Sequence, residues 1–392
     1  MSLEEVIDMS SRLVLQASSE PDARETAAVL KAAGQTFHGI VAHFEKIDPY
    51  LDIPHPKRCT SYSQPSLILH MYKFALSEES KNLFLRAFFG WMELAMDSNA
   101  ELDFEKLAPR FEKFAEYLIH SFFLPLKATG GKTPQHSPAP HSAAQDAQGG
   151  AAASGFVTTS NRLSSLRYEC LVRDRHRCVI SHKFDADEYE LRYKKDKMNA
   201  RDDDGRVFDE STEHFGVLEV AHILPHSIMS RGSSDEANAA RQATLAILNM
   251  LDKGVVHLIE GVEIDRSTNA LTLCLTHHKF FGAFDTYFDA VEGQENTYTI
   301  KTFKRVAALI ARELPVTRTL FVTENRTIDP PLPRLLAVHR AIAHILHLSG
   351  AGAYIENVLR DIEHNVVRSD GTTNLAPMIH LSLWGWVPGA VY

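Results

Sequence analysis

The stretch LEVAHILPHS, residues 218–227, decides how this chain is read. Leu218, Val220, Ala221, Ile223 and Leu224 make a strand-like apolar run, yet His222 sits inside it and Pro225 stops it three residues later. A histidine in such a run is ordinarily a core residue. Proline has no N–H for a β-ladder and is confined to strand ends and edges, so Pro225 releases the chain from the sheet and leaves His222 at its rim. A rim imidazole faces a groove, and its ordinary pKa of about 6.5 suits it to proton transfer near neutrality.

Outward from this run, VVHLIEGVEI (255–264) and ALTLCL (270–275) read as strands, and SDEANAARQATLAILNMLDKG (234–254) reads as a helix between strands. Upstream, NRLSSLRYECLVRDRHRCVIS (161–181) offers a helix and then a strand, and the mixed-charge insert from Lys183 to Gly216 reads as a solvated surface loop. Apolar periodicity predicts further helices over 306–314, 332–348 and 352–365, and the tail LSLWGWVPGAVY (381–392), with two tryptophans, is expected to dock on the body. Near the N-terminus, helical spacing recurs over 22–47, 76–96 and 103–123, with Ser77 a plausible N-cap and an aromatic stripe that reads as core. Between these halves, residues 127–155 are rich in Gly, Pro, Ala, Ser and Gln and hold too few large apolar groups to offset the entropy of ordering.

At 392 residues and 44% hydrophobic, the chain can build more than one core. Its formal charge of −9 argues against coating nucleic acid through bulk charge and leaves room for a local basic surface. The four cysteines form no CxxC pair, so neither a disulfide framework nor a cysteine-based zinc site is written in the spacing. Cys178, with serine at 181, reads as a buried thiol, and Cys274 as a core strand residue. The acidic start MSLEEVIDMSS and the lack of an 18-residue apolar run predict an intracellular protein with no membrane partner.

Three pieces stand in order: AHILP with His222, NALTL with Asn269, and HKFF with His278; Arg177-Cys178 precedes them. In this order they resemble the HNH endonuclease family, in the branch common in fungal proteins, over roughly residues 160–305. The resemblance implies an α+β fold with a ββα-metal core and flanking helices, beside a separate N-terminal all-α domain. The expected layout is a helical domain over 1–125, a flexible linker over 126–155, an HNH domain over 156–305, and C-terminal helices packed on it over 306–392. A partner protein recruited by the helical domain is a further expectation.

What the family implies about roles agrees with elementary chemistry. Phosphodiester hydrolysis needs an activated water, and His222 is the expected general base. Asn269 would hold it in one tautomer and direction. His278, at the start of the family's metal-binding helix, would ligate one divalent ion (Mg, Mn or Zn) that neutralises the phosphate and leaving oxygen. Two ligand positions common in the family are Ala221 and Gly282 here. His277, Asp285 and Glu219 are the candidate replacements, and His226 is either a phosphate contact or a loop histidine. Arg173, Arg175, Arg177 and Lys279 form a locally basic set for a sequence-independent grip on nucleic acid, DNA before RNA. The alternative function is an HNH-fold module that binds nucleic acid or protein with an impaired metal shell.

Overall fold

Three short polar side chains start three helices. Ser63 accepts the Ser66 N–H ahead of α2 (Gln64–Lys73), Ser77 that of Ser80 ahead of α3 (Glu78–Met92), and Asp103 that of Lys106 ahead of α4 (Phe104–Leu118). Each cap satisfies one of the N–H groups that a helix start leaves without an internal partner. In the computed structural model the described residues are 27–52, 59–97, 101–130, 159–229, 235–305 and 314–363. They form two units, one drawn from residues 1–129, 227–258 and 341–392, the other from 130–226 and 259–340.

The first unit is helical. α1 (Ala27–Lys46) joins α2, α3 and α4 around Phe37, Phe84, Phe88, Phe111 and Phe114, all at most 2% exposed. Phe37 meets Phe88 edge-on at 5.0 Å, and Phe88 meets Phe114 at 5.6 Å, the arrangement aromatic quadrupoles favour. Each buried phenyl contributes about 1.5–3 kcal/mol of transfer free energy, so the aromatic stripe is core. α5 (Leu124–Thr129) continues from α4 through a single wide turn, and Lys127 pairs with Glu356 at 2.9 Å. The helix therefore runs past residue 125, where the sequence reading begins a linker; residues 131–158 lie outside the described residues.

The helix predicted between the two strands is α8 (Asp235–Leu251), and it belongs to this first unit. Thr244 donates to the Ser121 carbonyl at 2.7 Å, and the Leu76 N–H donates to Leu251 O at 2.8 Å. The C-terminal end of α10 (Pro333–Leu348) and all of α11 (Ala351–Glu363) group here too. Gly350, between them, has φ +76°, and a Cβ there would stand 2.1 Å from the Tyr50 hydroxyl oxygen. Only glycine satisfies both conditions. Residues 306–313 and the tryptophan-bearing tail lie outside the described residues.

In the second unit, β3 (Leu218–His222) pairs antiparallel with β4 (Ala270–Cys274), placing His222 opposite Ala270 and Leu218 opposite Cys274. α6 (Thr159–Arg173) packs Leu163, Leu166 and Cys170 on Val220 and Ala270. α9 (Leu275–Gly282) follows β4 without a loop and returns across β3. The two strands make one small sheet, and α9 completes a ββα unit with it. A three-stranded antiparallel sheet, β5 (Thr286–Ala290), β6 (Thr297–Thr302) and β7 (Val316–Thr319), comes next in the chain.

Two expectations are corrected. VVHLIEGVEI is not a strand but a chain of 3-10 turns, with Gly254 and Gly261 at φ +84° and +63° breaking any extended run. The charged insert is not all loop: between the short parallel pair β1 (Phe184–Asp185) and β2 (Phe215–Gly216) it forms α7 (Ala186–Asp196). Asp185 caps α7 through the N–H groups of Asp187 and Glu188, and Glu188 pairs with Arg192 one turn on at 2.8 Å.

Arg173 does not offer its charge to a ligand. It is 1% exposed, forms a two-pronged pair with Asp174 at 2.8 Å, and donates to Ser267 O at 2.7 Å and Ala270 O at 2.9 Å. Asp174 in turn accepts the Thr272 N–H at 3.1 Å, so this pair staples the end of α6 to β4. Removing one partner of a buried pair strands the other charge, which costs about 3–5 kcal/mol. Arg173→Ala is expected to lower the unfolding free energy by that amount, read as a lower urea midpoint by circular dichroism. A variant as stable as wild type would return Arg173 to the list of phosphate contacts.

Candidate active site

His222 is the last residue of β3 and is 6% exposed, so its ring is covered rather than open at the rim. Its Nε2 lies 3.3 Å from Asp265 Oδ1, and the same oxygen lies 2.7 Å from His226 Nδ1. Asp265 Oδ2 accepts from Arg162 Nε at 3.1 Å. Burial acts against the charge on Asp265, yet the hydrogen bonds from His222, His226 and Arg162 together hold its carboxyl well below the usual range. An ionised carboxylate only accepts, so His222 donates Nε2–H to it and Nδ1 becomes the proton-accepting atom of the ring. Burial pulls the His222 pKa below its ordinary value, and Asp265 opposes the shift only in part.

His339, on α10, shows by contrast what a satisfied core histidine looks like. It stacks on Phe281 at 3.9 Å, donates Nε2–H to the Phe281 carbonyl at 3.0 Å, and is pushed down to about 3 by burial. It has a backbone partner and phenyl faces. His222 has an ionised carboxylate shared with a second imidazole.

Asn269 is fully buried, and its role is less direct than the sequence suggests. Its Oδ1 accepts the Leu224 N–H at 3.0 Å, and its Nδ2 donates to Leu224 O at 3.0 Å and Ile264 O at 2.9 Å. Leu224 lies two residues after His222, and Ile264 immediately precedes Asp265. The amide therefore clamps the two backbone segments that bring His222 and its carboxylate together.

His278 lies in the first half of α9 and is 2% exposed. Its Nδ1 is 2.6 Å from Glu219 Oε2, on β3 two residues before Ala221. It is near enough to His222 for its charge to lower that group's pKa. Of the expected ligand set, His277 and Asp285 do not join it. The His277 ring groups with Cys178 and Cys274 instead. Asp285 turns toward Lys304, 3.7 Å away, and its backbone carbonyl caps the end of the next sheet by accepting the Phe303 N–H. Gly282 closes α9, and no other carboxylate is recorded at His278 among the described residues.

The remaining basic candidates divide. Arg175 pairs with Asp204, and Arg177 with Glu213 at 2.8 Å and Asp202 at 3.2 Å, which fastens the start of the HNH segment to the charged insert. Lys279 alone of the four is exposed on α9, one residue from His278. The residues that sequence reasoning missed are Asp265 and Arg162. Asp265 immediately follows the segment read as a strand, residues 255–264, and stands four residues before Asn269.

Replacing Asn269 by Ala leaves two buried carbonyls and one N–H without their partner, at about 1–3 kcal/mol for each group. Asn269→Ala is expected to speed hydrogen exchange at Leu224 and around Asp265 while α6 keeps its protection. Uniform loss of protection across the second unit would mean that the clamp acts on the whole fold and not on the site.

The donor atoms of His222, His226 and Asp265 lie within 4.8 Å of one another, close enough to share an ion. Here two imidazole N–H groups already occupy one carboxylate oxygen, the arrangement of a base with its orienting partner. Comparison with curated proteins and with solved structures gives no match. A family model described as HNH endonuclease matches residues 178–289, which spans β3, Asn269, β4 and α9. Residues 178–289 are thus an HNH endonuclease segment within the chain.

Proposed function

We propose that the protein is a metal-dependent endonuclease that hydrolyses phosphodiester bonds in nucleic acid, DNA in the first instance, with His222 as general base. The observation that carries this reading is the pairing of two fixed imidazoles across one small sheet: His222 on Asp265 at 3.3 Å and His278 on Glu219 at 2.6 Å. His222 takes a proton from water at Nδ1 as the water oxygen bonds to phosphorus and the bond to the leaving 3′ oxygen breaks. Asp265 stabilises the imidazolium that forms, and Asn269 keeps the two in register.

His278 donates Nδ1–H to Glu219, which leaves Nε2 as its ligating atom, the carboxylate–histidine arrangement that raises ligand basicity. One imidazole backed by one carboxylate fits a hard or borderline divalent ion. Such an ion, when bound, neutralises charge on the scissile phosphate and the leaving oxygen. Lys279 supplies a sequence-independent contact to a flanking phosphate.

A second reading, a binding module without cleavage, is favoured by the thinness of that donor set, with Ala221 and Gly282 where other family members carry ligands. Plasmid nicking across Mg, Mn and Zn separates the two. His222→Ala is expected to lose about 10²–10⁴-fold in rate, the range for a general base, with unchanged circular dichroism. No cleavage by wild type with any of the ions leaves the binding reading.

The pH profile adds a signed test. The base works when neutral, and its pKa lies below the ordinary value, so the acidic fall in rate is expected below about pH 6.5. Asp265 raises the His222 pKa, so Asp265→Asn moves that fall to still lower pH while the plateau drops by about 10–100-fold, as for other orienting partners. A fall that moves to higher pH in this variant rules out Asp265 as the partner of the base.

A further inference from the structure

Cys178, Cys274 and His277 come from three different places in the chain and meet away from the His222–Asp265 pair. Cys178 lies in the turn after α6, Cys274 ends β4, and His277 is in the first turn of α9. All three are buried, at 0%, 8% and 3% exposure, and one ligating atom from each lies within 4.8 Å of the other two. We propose that these three side chains form a binding site for one thiophilic divalent cation, zinc by preference, that clips the Cys178 turn to the start of α9.

The donor chemistry selects the ion. Two thiolates and an imidazole favour zinc over magnesium or manganese, which prefer oxygen. In a tetrahedral site with Zn–S bonds of about 2.3 Å, two sulfurs stand about 3.8 Å apart. The Cys178 and Cys274 sulfurs already lie within 4.8 Å of each other, so closing around an ion needs a shift of about 1 Å at most. Each thiol gives up its proton on binding.

The surrounding backbone is set for this. The Ser181 N–H donates to Cys178 Sγ at 3.4 Å, a bond that strengthens when the sulfur is a thiolate. The Cys178 turn is closed by His182 N–H to Cys178 O at 2.8 Å and held to β4 by Val179 N–H to Thr272 O at 3.0 Å. The Ser181 hydroxyl is shielded from solvent beside the two sulfurs, and either it or a water completes the fourth position. His277 and His278 are neighbours on a helix, where successive side chains diverge by about 100°. One imidazole therefore serves this clip and the next faces Glu219, so the inference is independent of whether the protein cleaves nucleic acid.

The test uses the full chain purified under reducing conditions. Elemental analysis after dialysis is expected to give one zinc per chain. Exchange for cobalt is expected to give tetrahedral visible bands together with an ultraviolet thiolate-to-cobalt band. Cys178→Ser, Cys274→Ser and His277→Gln should each weaken zinc retention against a chelator by at least tenfold, while His278→Gln leaves it unchanged. A second measurement needs no variant: zinc added to metal-stripped wild type should slow the reaction of two thiols per chain with a disulfide reagent and raise the melting temperature. Wild type that takes up no cobalt, cobalt bound without the thiolate band, or a Cys178–Cys274 disulfide in the native protein would overturn the proposal.

Discussion

The antiparallel pairing of Leu218–His222 with Ala270–Cys274 is the constraint on which the second unit depends. It is only five residue pairs long, too little to persist alone in water, and it is made permanent by what covers it. α6 lays Leu163, Leu166 and Cys170 on one side, α9 crosses the other, and the Arg173–Asp174 pair ties the helix end to the backbone of β4. Register then does the chemical work. A strand alternates faces with period two, so a slip by one residue would exchange Glu219 with Val220 and remove the carboxylate from His278.

The same geometry explains why the site's polar groups come in fixed pairs. A buried imidazole or carboxylate is costly unless its hydrogen bonds are met. His222 is met by Asp265, Asp265 by His226 and Arg162, His278 by Glu219, and Asn269 by two backbone segments. Each of these contacts is a stability requirement and also fixes the direction of the side chain it holds. Folding and the proposed proton transfer thereby place the same demand on the same atoms.

The order of elements was legible in the sequence because it rests on local signals. His222 before Pro225, Asn269 ahead of an alternating run, and His278 at a helix start each mark a strand or helix edge that nearest neighbours determine. Ser77 and Asp103 mark helix starts in the same way. What was not legible is who pairs with whom across long separations. Asp265 is 43 residues from His222, and Arg162 is 103 residues from Asp265. Three arginines within a short basic stretch look alike in one dimension, yet Arg173 is consumed by its neighbour Asp174, and Arg175 and Arg177 by Asp204 and by Glu213 with Asp202, acidic residues that only the fold brings to them. The two adjacent histidines divide for a related reason: spacing says that His277 and His278 are neighbours, and only the helix says that they face different groups.

Long separation also governs how the two units are joined in the chain. The path from His222 to Asn269 leaves the second unit at residue 227 and re-enters it at 259, having contributed α8 to the first. α8 buries Ala243, Thr244, Ile247, Leu248 and Leu251 there, a face that an isolated HNH segment would expose. The β3–β4 pair therefore closes a loop whose middle is ordered by a different core. Ordering that middle shortens the effective loop and lowers its closure entropy, and a disordered α8 would return the cost to the strand pair. The N-terminal helices thus hold the middle of the chain segment that joins His222 to Asn269.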